Sequence, residues 1–209
     1  MQKKFLVVSG IAIVAAVSIL FCLPVFSGNN NVGNSVISGT ADNTPSDSVK
    51  EEMKWYTVSE ALELQKTTGK KIFIDVYTTW CGPCRMLSTG TFTNDVIAKE
   101  LTDYYIPAKF NAESNDTIIF KGQTFTNPNY SPQPRKSTHP FAVYIASTPQ
   151  GLGYPTMVFL DEESNMIQPI SGYLTPQQLE PILSFFGTNA YKSTDWNTYY
   201  NSFKSSISQ

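Results

Sequence analysis

Apolar positions along this chain recur with two different periods, and each change of period marks a new element. Thr57-Val58-Ser59-Glu60 can close a capping box, and Ala61, Leu62 and Leu64 follow before Gly69, which predicts a short helix. Lys70 and Lys71 then lead into Ile72-Phe73-Ile74-Asp75-Val76-Tyr77, a mostly apolar run ending at Thr78 and Thr79 that reads as a strand buried on both faces. A second helix begins near Cys81. Asn94 or Asp95 can cap a third, along which Val96, Ile97, Leu101 and Tyr104 or Tyr105 recur at helical spacing, and Ile106 to Phe110 reads as the next strand. Thr156 to Leu160 and Met166 to Ser171 pair around a turn at Glu162 to Asn165, and Leu174-Thr175-Pro176 opens a helix that stops at Gly187. This order predicts an α/β domain, a central mixed sheet covered by helices on both sides.

The remaining stretches depart from that pattern. Between Phe110 and Pro155 lies a long polar segment with Pro128, Pro132, Pro134 and Pro140, and with Phe120, Phe125 and Tyr130 interleaved. It reads as a decorated surface loop, with a lid or docking surface around residues 113–140 as the alternative. Its end, Pro140 to Ala146, can form a short helix, with His139 in a surface or capping role. In the tail, Trp196, Tyr199, Tyr200 and Phe203 follow Ser193-Thr194-Asp195 at helical spacing and give one apolar face, expected to pack against the domain or to serve a partner.

The first residues carry a different signal. Lys3 and Lys4 precede an apolar run from Phe5 to Phe26 that reads as an export signal or a membrane anchor, since at about 1.5 Å per helical residue it can cross a hydrocarbon core of roughly 30 Å. Val25-Phe26-Ser27 is a loose cleavage site, and Cys22 reads as a buried apolar residue in preference to a lipidation site. With the lysines ahead of the run, the rest of the chain is expected outside the cytoplasm, in the periplasm or cell envelope. Asn29 to Ser48 is rich in Asn, Ser, Gly and Thr and reads as a flexible tether. The expected layout is thus a signal or anchor over 1–27, a linker over 28–52, a folded domain over 53–187 and a helical extension over 188–209.

Composition narrows the function classes. A chain of 209 residues with 41% hydrophobic content can bury one sizeable core, and a net charge of -2 gives no footprint for nucleic acid. Loss of residues 1–27 would leave 13 basic against 17 acidic side chains, a charge of -4. The chain has 3 cysteines and 1 histidine, too few beyond Cys81 and Cys84 for a structural zinc site, and Arg85 stands where haem attachment wants His. No metal and no cofactor are expected.

The chemistry sits in Trp80-Cys81-Gly82-Pro83-Cys84. A cysteine at a helix start meets unpaired backbone N–H groups and the positive end of the helix dipole, which favour the thiolate; Cys81 is the candidate nucleophile. Cys84 lies on the same helical face, placed to resolve a mixed disulfide formed at Cys81. So short a loop makes a poor structural staple.

With Tyr154-Pro155-Thr156 far downstream, this motif after an Asp-containing strand resembles the thioredoxin family over roughly Met53 to Phe186, and Thr91-Phe92-Thr93-Asn94 with Val96 is similar to the C-terminal domain of DsbD. The resemblance implies a thioredoxin-like fold with a cis-proline, and this chain departs from the family's compact pattern by an insertion before that proline and an extra C-terminal helix. It implies that Asp75 is a buried proton acceptor for Cys84, against a solvated Asp, and that Lys109 pairs with it, against a free surface lysine. It implies a cis Pro155 whose preceding backbone meets an extended substrate, with Tyr154 shaping what binds; an ordinary trans proline is the alternative. Trp80 is expected to offer a partner a flat contact, or else to be a core aromatic, while Gly82 and Pro83 set the turn. The implied activity is thiol-disulfide exchange with protein disulfides, reductive and fed by a redox partner, with oxidation or isomerisation and a non-catalytic binding module as alternatives.

Overall fold

A computed structural model describes residues 53–207. The apolar run 5–26, the cleavage site beside Ser27, Cys22 and the tether lie outside the described residues. Strands β1 (Tyr56–Thr57), β2 (Lys71–Tyr77), β3 (Tyr105–Asn111), β6 (Thr156–Leu160) and β7 (Met166–Ser171) form one sheet in the order β1-β3-β2-β6-β7. β1 and β2 flank β3 in parallel, whereas β6 runs antiparallel to both β2 and β7. The expected mixed sheet between helices is therefore present. A separate hairpin, β4 (Ile118–Phe120) with β5 (Gln123–Phe125), lies inside the insertion.

The alternation of β2 divides the core. Ile72, Ile74 and Val76 point to one side, where α1 (Val58–Thr68) and α4 (Pro140–Ala146) cover them with Val58, Ala61, Phe141 and Ile145. Phe73 points to the other, beneath α2 (Gly82–Thr89), α3 (Asp95–Tyr104) and α5 (Pro176–Gly187), where Leu87, Ile97, Leu101, Leu179 and Leu183 close over it. The helix starts follow the predicted chemistry. Thr57 with Glu60 and Thr175 with Gln178 form reciprocal capping boxes, and Asn94 accepts the Val96 and Ile97 amides. At the end of α5, a Cβ on Gly187 would stand 2.7 Å from the Tyr104 ring, so only glycine lets α5 meet α3 this closely.

Two expectations are corrected, and the one for His139 resolves to its capping alternative. The insertion is more than a decorated loop, because Ile118, Phe120 and Phe125 are buried in the α1/α4 core, where Phe141 packs edge-on against Phe110, Phe120 and Phe125. His139 is no surface residue. It is fully buried and caps α4, with Nδ1 accepting the Phe141 amide at 3.0 Å; the neutral ring then donates Nε2–H to the Asp116 carbonyl at 2.8 Å. The third strand begins at Tyr105 instead of Ile106. In the tail, α6 (Trp196–Ser202) sets Trp196 and Tyr199 against Phe185 and leaves Tyr200 exposed.

Candidate functional site

β2 ends at Tyr77, and the chain crosses Thr78-Thr79-Trp80 before entering α2. Cys81 is the N-cap of that helix, and its Sγ accepts the Cys84 amide at 3.1 Å. Gly82 and Pro83 fill the first helical positions, where the missing proline N–H costs no hydrogen bond. Both are exposed, and a Cβ on Gly82 would meet nothing within 4 Å, so the motif's outer side is open to an approaching chain. Cys81 and Cys84 are joined by a disulfide, with Cα atoms 5.3 Å apart. The couple is thus held in its oxidised form. Once it is reduced, the Cys84 amide and the helix start remain in place to favour a thiolate at Cys81.

Asp75 shares its strand face with Phe73, so it points into the α2/α3/α5 layer, beneath the helix that carries the cysteines. Its side chain is wholly buried, and Oδ1 has no hydrogen-bond partner. Oδ2 accepts from the Lys109 ammonium at 3.2 Å. Burial pushes the Asp75 carboxyl above its ordinary value, and the Lys109 charge opposes the rise without cancelling it. Register explains the pairing, because Asp75 of β2 lies opposite Lys109 of β3. The same ammonium donates to Ser88 Oγ of α2 at 2.7 Å and stands 4.7 Å from the Trp55 ring centroid. Lys109 therefore ties the buried acid to the motif helix. The sequence reading did not single out Ser88 or Trp55.

On the open side, Trp80 is 37% exposed, and its ring meets Tyr154 edge-on at 6.0 Å. The Tyr154–Pro155 peptide bond is cis. Thr156 pairs with Val76, so Pro155 stands at the end of β2 from which the cysteine motif departs. Two further residues belong to this side. Glu113 accepts the Trp80 indole N–H through Oε2 at 3.0 Å, and the Arg135 guanidinium lies 4.4 Å from the Trp80 ring centroid. Both come from the insertion, and no local pattern marks them. The structure thus brings the exposed Trp80, Gly82 and Pro83 around the buried Cys81–Cys84 pair with Tyr154 against Trp80, and sets Asp75 with Lys109 behind the helix.

Among the described residues no three His, Cys, Asp or Glu side chains are grouped to hold a metal ion, and no helix is long and apolar enough to cross a membrane.

Residues 58–187 match the family described as the thioredoxin-like domain. Among solved structures, the chain is similar to a thioredoxin from Thermus thermophilus, at 17% identity and a TM-score of 0.47, over 65% of this chain and 87% of that one. It is similar to a thioredoxin-fold protein from Helicobacter pylori, at 15% identity and a TM-score of 0.43, over 64% of this chain and 78% of the other. It is also similar to the C-terminal domain of Neisseria meningitidis DsbD in its reduced form, at 12% identity and a TM-score of 0.39, over 60% and 93%.

Proposed function

We propose that this chain, which belongs to the thioredoxin-like domain family, is an extracytoplasmic thiol-disulfide oxidoreductase that reduces disulfides in other proteins. The observation that carries the reading is the Cys81–Cys84 couple at the start of α2 with a buried Asp75, its carboxyl raised above the ordinary value, beneath that helix.

In the reduced protein the Cys81 thiolate attacks one sulfur of a substrate disulfide, forms a mixed disulfide and expels the other sulfur as a thiolate, which takes a proton. Asp75 then accepts the Cys84 thiol proton. The Cys84 thiolate attacks Cys81 Sγ, the intramolecular disulfide forms, and the second substrate sulfur leaves as a thiolate and is protonated. The substrate gains two electrons from the cysteine pair and two protons, one that Asp75 took from Cys84 and passes on and one from water. A reducing dithiol partner restores the couple by the reverse exchange.

Trp80, Gly82, Pro83, Tyr154 and Pro155 make the surface that receives the substrate, and Lys109 restrains Asp75. The placement outside the cytoplasm rests on Lys3, Lys4 and the apolar run 5–26, which either is removed or tethers the domain through the linker 28–52. In that setting the domain spans 53–187 and the extension 188–209.

Replacing Cys84 with Ser removes the resolving thiol, so the variant should accumulate mixed disulfides with envelope proteins, visible as slow bands on non-reducing gels that disappear with reductant. The double variant lacking Cys81 as well should capture nothing. Capture that persists without Cys81, or no capture at all, would favour a passive binding module.

A further inference from the structure

The insertion leaves the sheet after β3 and returns to α4, and one carboxylate draws its two ends together beside the cysteine motif. Glu113, near its start, accepts the Trp80 indole N–H on Oε2 at 3.0 Å. On Oε1 it accepts the backbone N–H of Arg135, near its end, at 2.6 Å. Arg135 has a φ of 65°, in the left-handed region that a residue with a side chain enters at a cost, and the amide-to-carboxylate bond holds it there. The result is that the guanidinium lies 4.4 Å from the ring centroid of Trp80, the residue before the attacking cysteine.

That guanidinium is exposed, and among the described residues it has no hydrogen-bond or ion-pair partner. Its fork of N–H donors is therefore available to a second molecule. Glu113 keeps its negative charge, but its two oxygens accept from the Trp80 indole and the Arg135 backbone, so the guanidinium's own donors are not spent on it. Arg85, directly after Cys84, and Lys136, directly after Arg135, are also exposed and add the same sign. Asp116 lies farther along the insertion, and its side chain is the remaining acid of that segment. Arg85, directly after the disulfide, and Arg135, over the ring of Trp80 directly before it, are thus both exposed cations, in a chain whose net charge is -2.

We propose that Arg135 is a specificity-determining residue, which selects protein disulfides carrying Asp or Glu within a residue or two of the cysteine that Cys81 attacks. The inference rests on the reading that Cys81 attacks protein disulfides. Stacking on Trp80 preorganises the guanidinium at the substrate's entry, and a carboxylate arriving there gains a charge-assisted, two-pronged contact. An alanine or lysine at the same place in the substrate gains nothing or is repelled.

The test uses the full reduced chain and two disulfide-linked peptides that differ only in Glu or Lys beside the reacting cysteine, with a small uncharged disulfide as a third substrate. Wild-type protein should favour the Glu peptide about fivefold in kcat/KM at low salt. Raising ionic strength to about 0.5 M should shrink that ratio in the unmodified protein, without reliance on any variant. Arg135→Gln should bring the ratio close to one, Arg135→Glu should invert it, and Arg135→Lys should keep part of it. Equal rates for the two peptides, or a preference that survives Arg135→Gln, would overturn the assignment while leaving disulfide reduction in place. Failure of wild-type protein to reduce even the small uncharged disulfide would overturn both readings.

Discussion

On one side of the sheet, Ile72, Ile74 and Val76 meet α1, α4 and the insertion hairpin in a core whose buried His139 caps α4 and is bonded at both nitrogens. On the other, the same strand places Asp75 between Phe73 and Tyr77, with an ammonium against it and an unpaired oxygen in the interior. Glu180, also wholly enclosed, belongs to this second side, and Glu100 of α3 stands near it. Period-two alternation lets one strand build both environments. The apolar side gains stability from burial, whereas the side beneath α2 gives up some of it to hold titratable groups in its interior.

The largest effect expected from this contrast is Phe141→Ala. Phe141 is fully buried and touches three other phenylalanines, so its loss should cost about 3–5 kcal/mol, a large part of the roughly 5–15 kcal/mol of a typical domain. Urea unfolding should show that loss, while disulfide exchange by the folded fraction stays at the wild-type rate. Slowed exchange in fully folded variant would mean that the two sides are not separable.

A smaller effect should appear at Glu100. Burial first, and then the Glu180 charge, raises its carboxyl from 4.5 to about 7. Because the folded value exceeds the unfolded one, stability is fully present below pH 4.5 and is lost as pH rises through about 7. Glu100→Gln should flatten that decline and, after allowance for partial solvent screening, add about 1–2 kcal/mol at pH 8. An unchanged pH profile of thermal unfolding would remove Glu100 from the contrast.

Most of this architecture is legible along the chain because its signals are local. Thr57 with Glu60, Asn94, and Thr175 with Gln178 announce helix starts through partners two or three residues away. The apolar run 72–76 announces a strand buried on both faces. The cysteine pair is legible for the same reason, since the four residues from Cys81 to Cys84 contain the nucleophile, the resolving thiol and the turn. The hairpin of β4 and β5 is not legible, because strands of 3 residues show too little alternation to register, and the turn at Lys121 and Gly122 lacks the usual Asn-Gly or Asp-Gly signature. β1 has only 2 residues and exists because β3 offers it a parallel edge. Glu113 and Arg135 reach Trp80 from 33 and 55 positions away, across a segment whose composition is that of a surface loop. Contacts of that kind depend on how the insertion closes, which no periodicity encodes.

The most direct test of the account follows Cys84 as it closes on a preformed mixed disulfide between Cys81 and a small chromogenic thiol, by stopped flow across pH, in wild-type protein and in Asp75→Asn. With a carboxyl raised by burial as the proton acceptor, the wild-type rate should climb as pH rises through that elevated value. Asp75→Asn should be slower by about 10²-fold at neutral pH and should lose that inflection. Equal rates and identical pH profiles would contradict the role given to Asp75, and a mixed disulfide that never resolves in the wild-type protein would contradict the oxidoreductase itself.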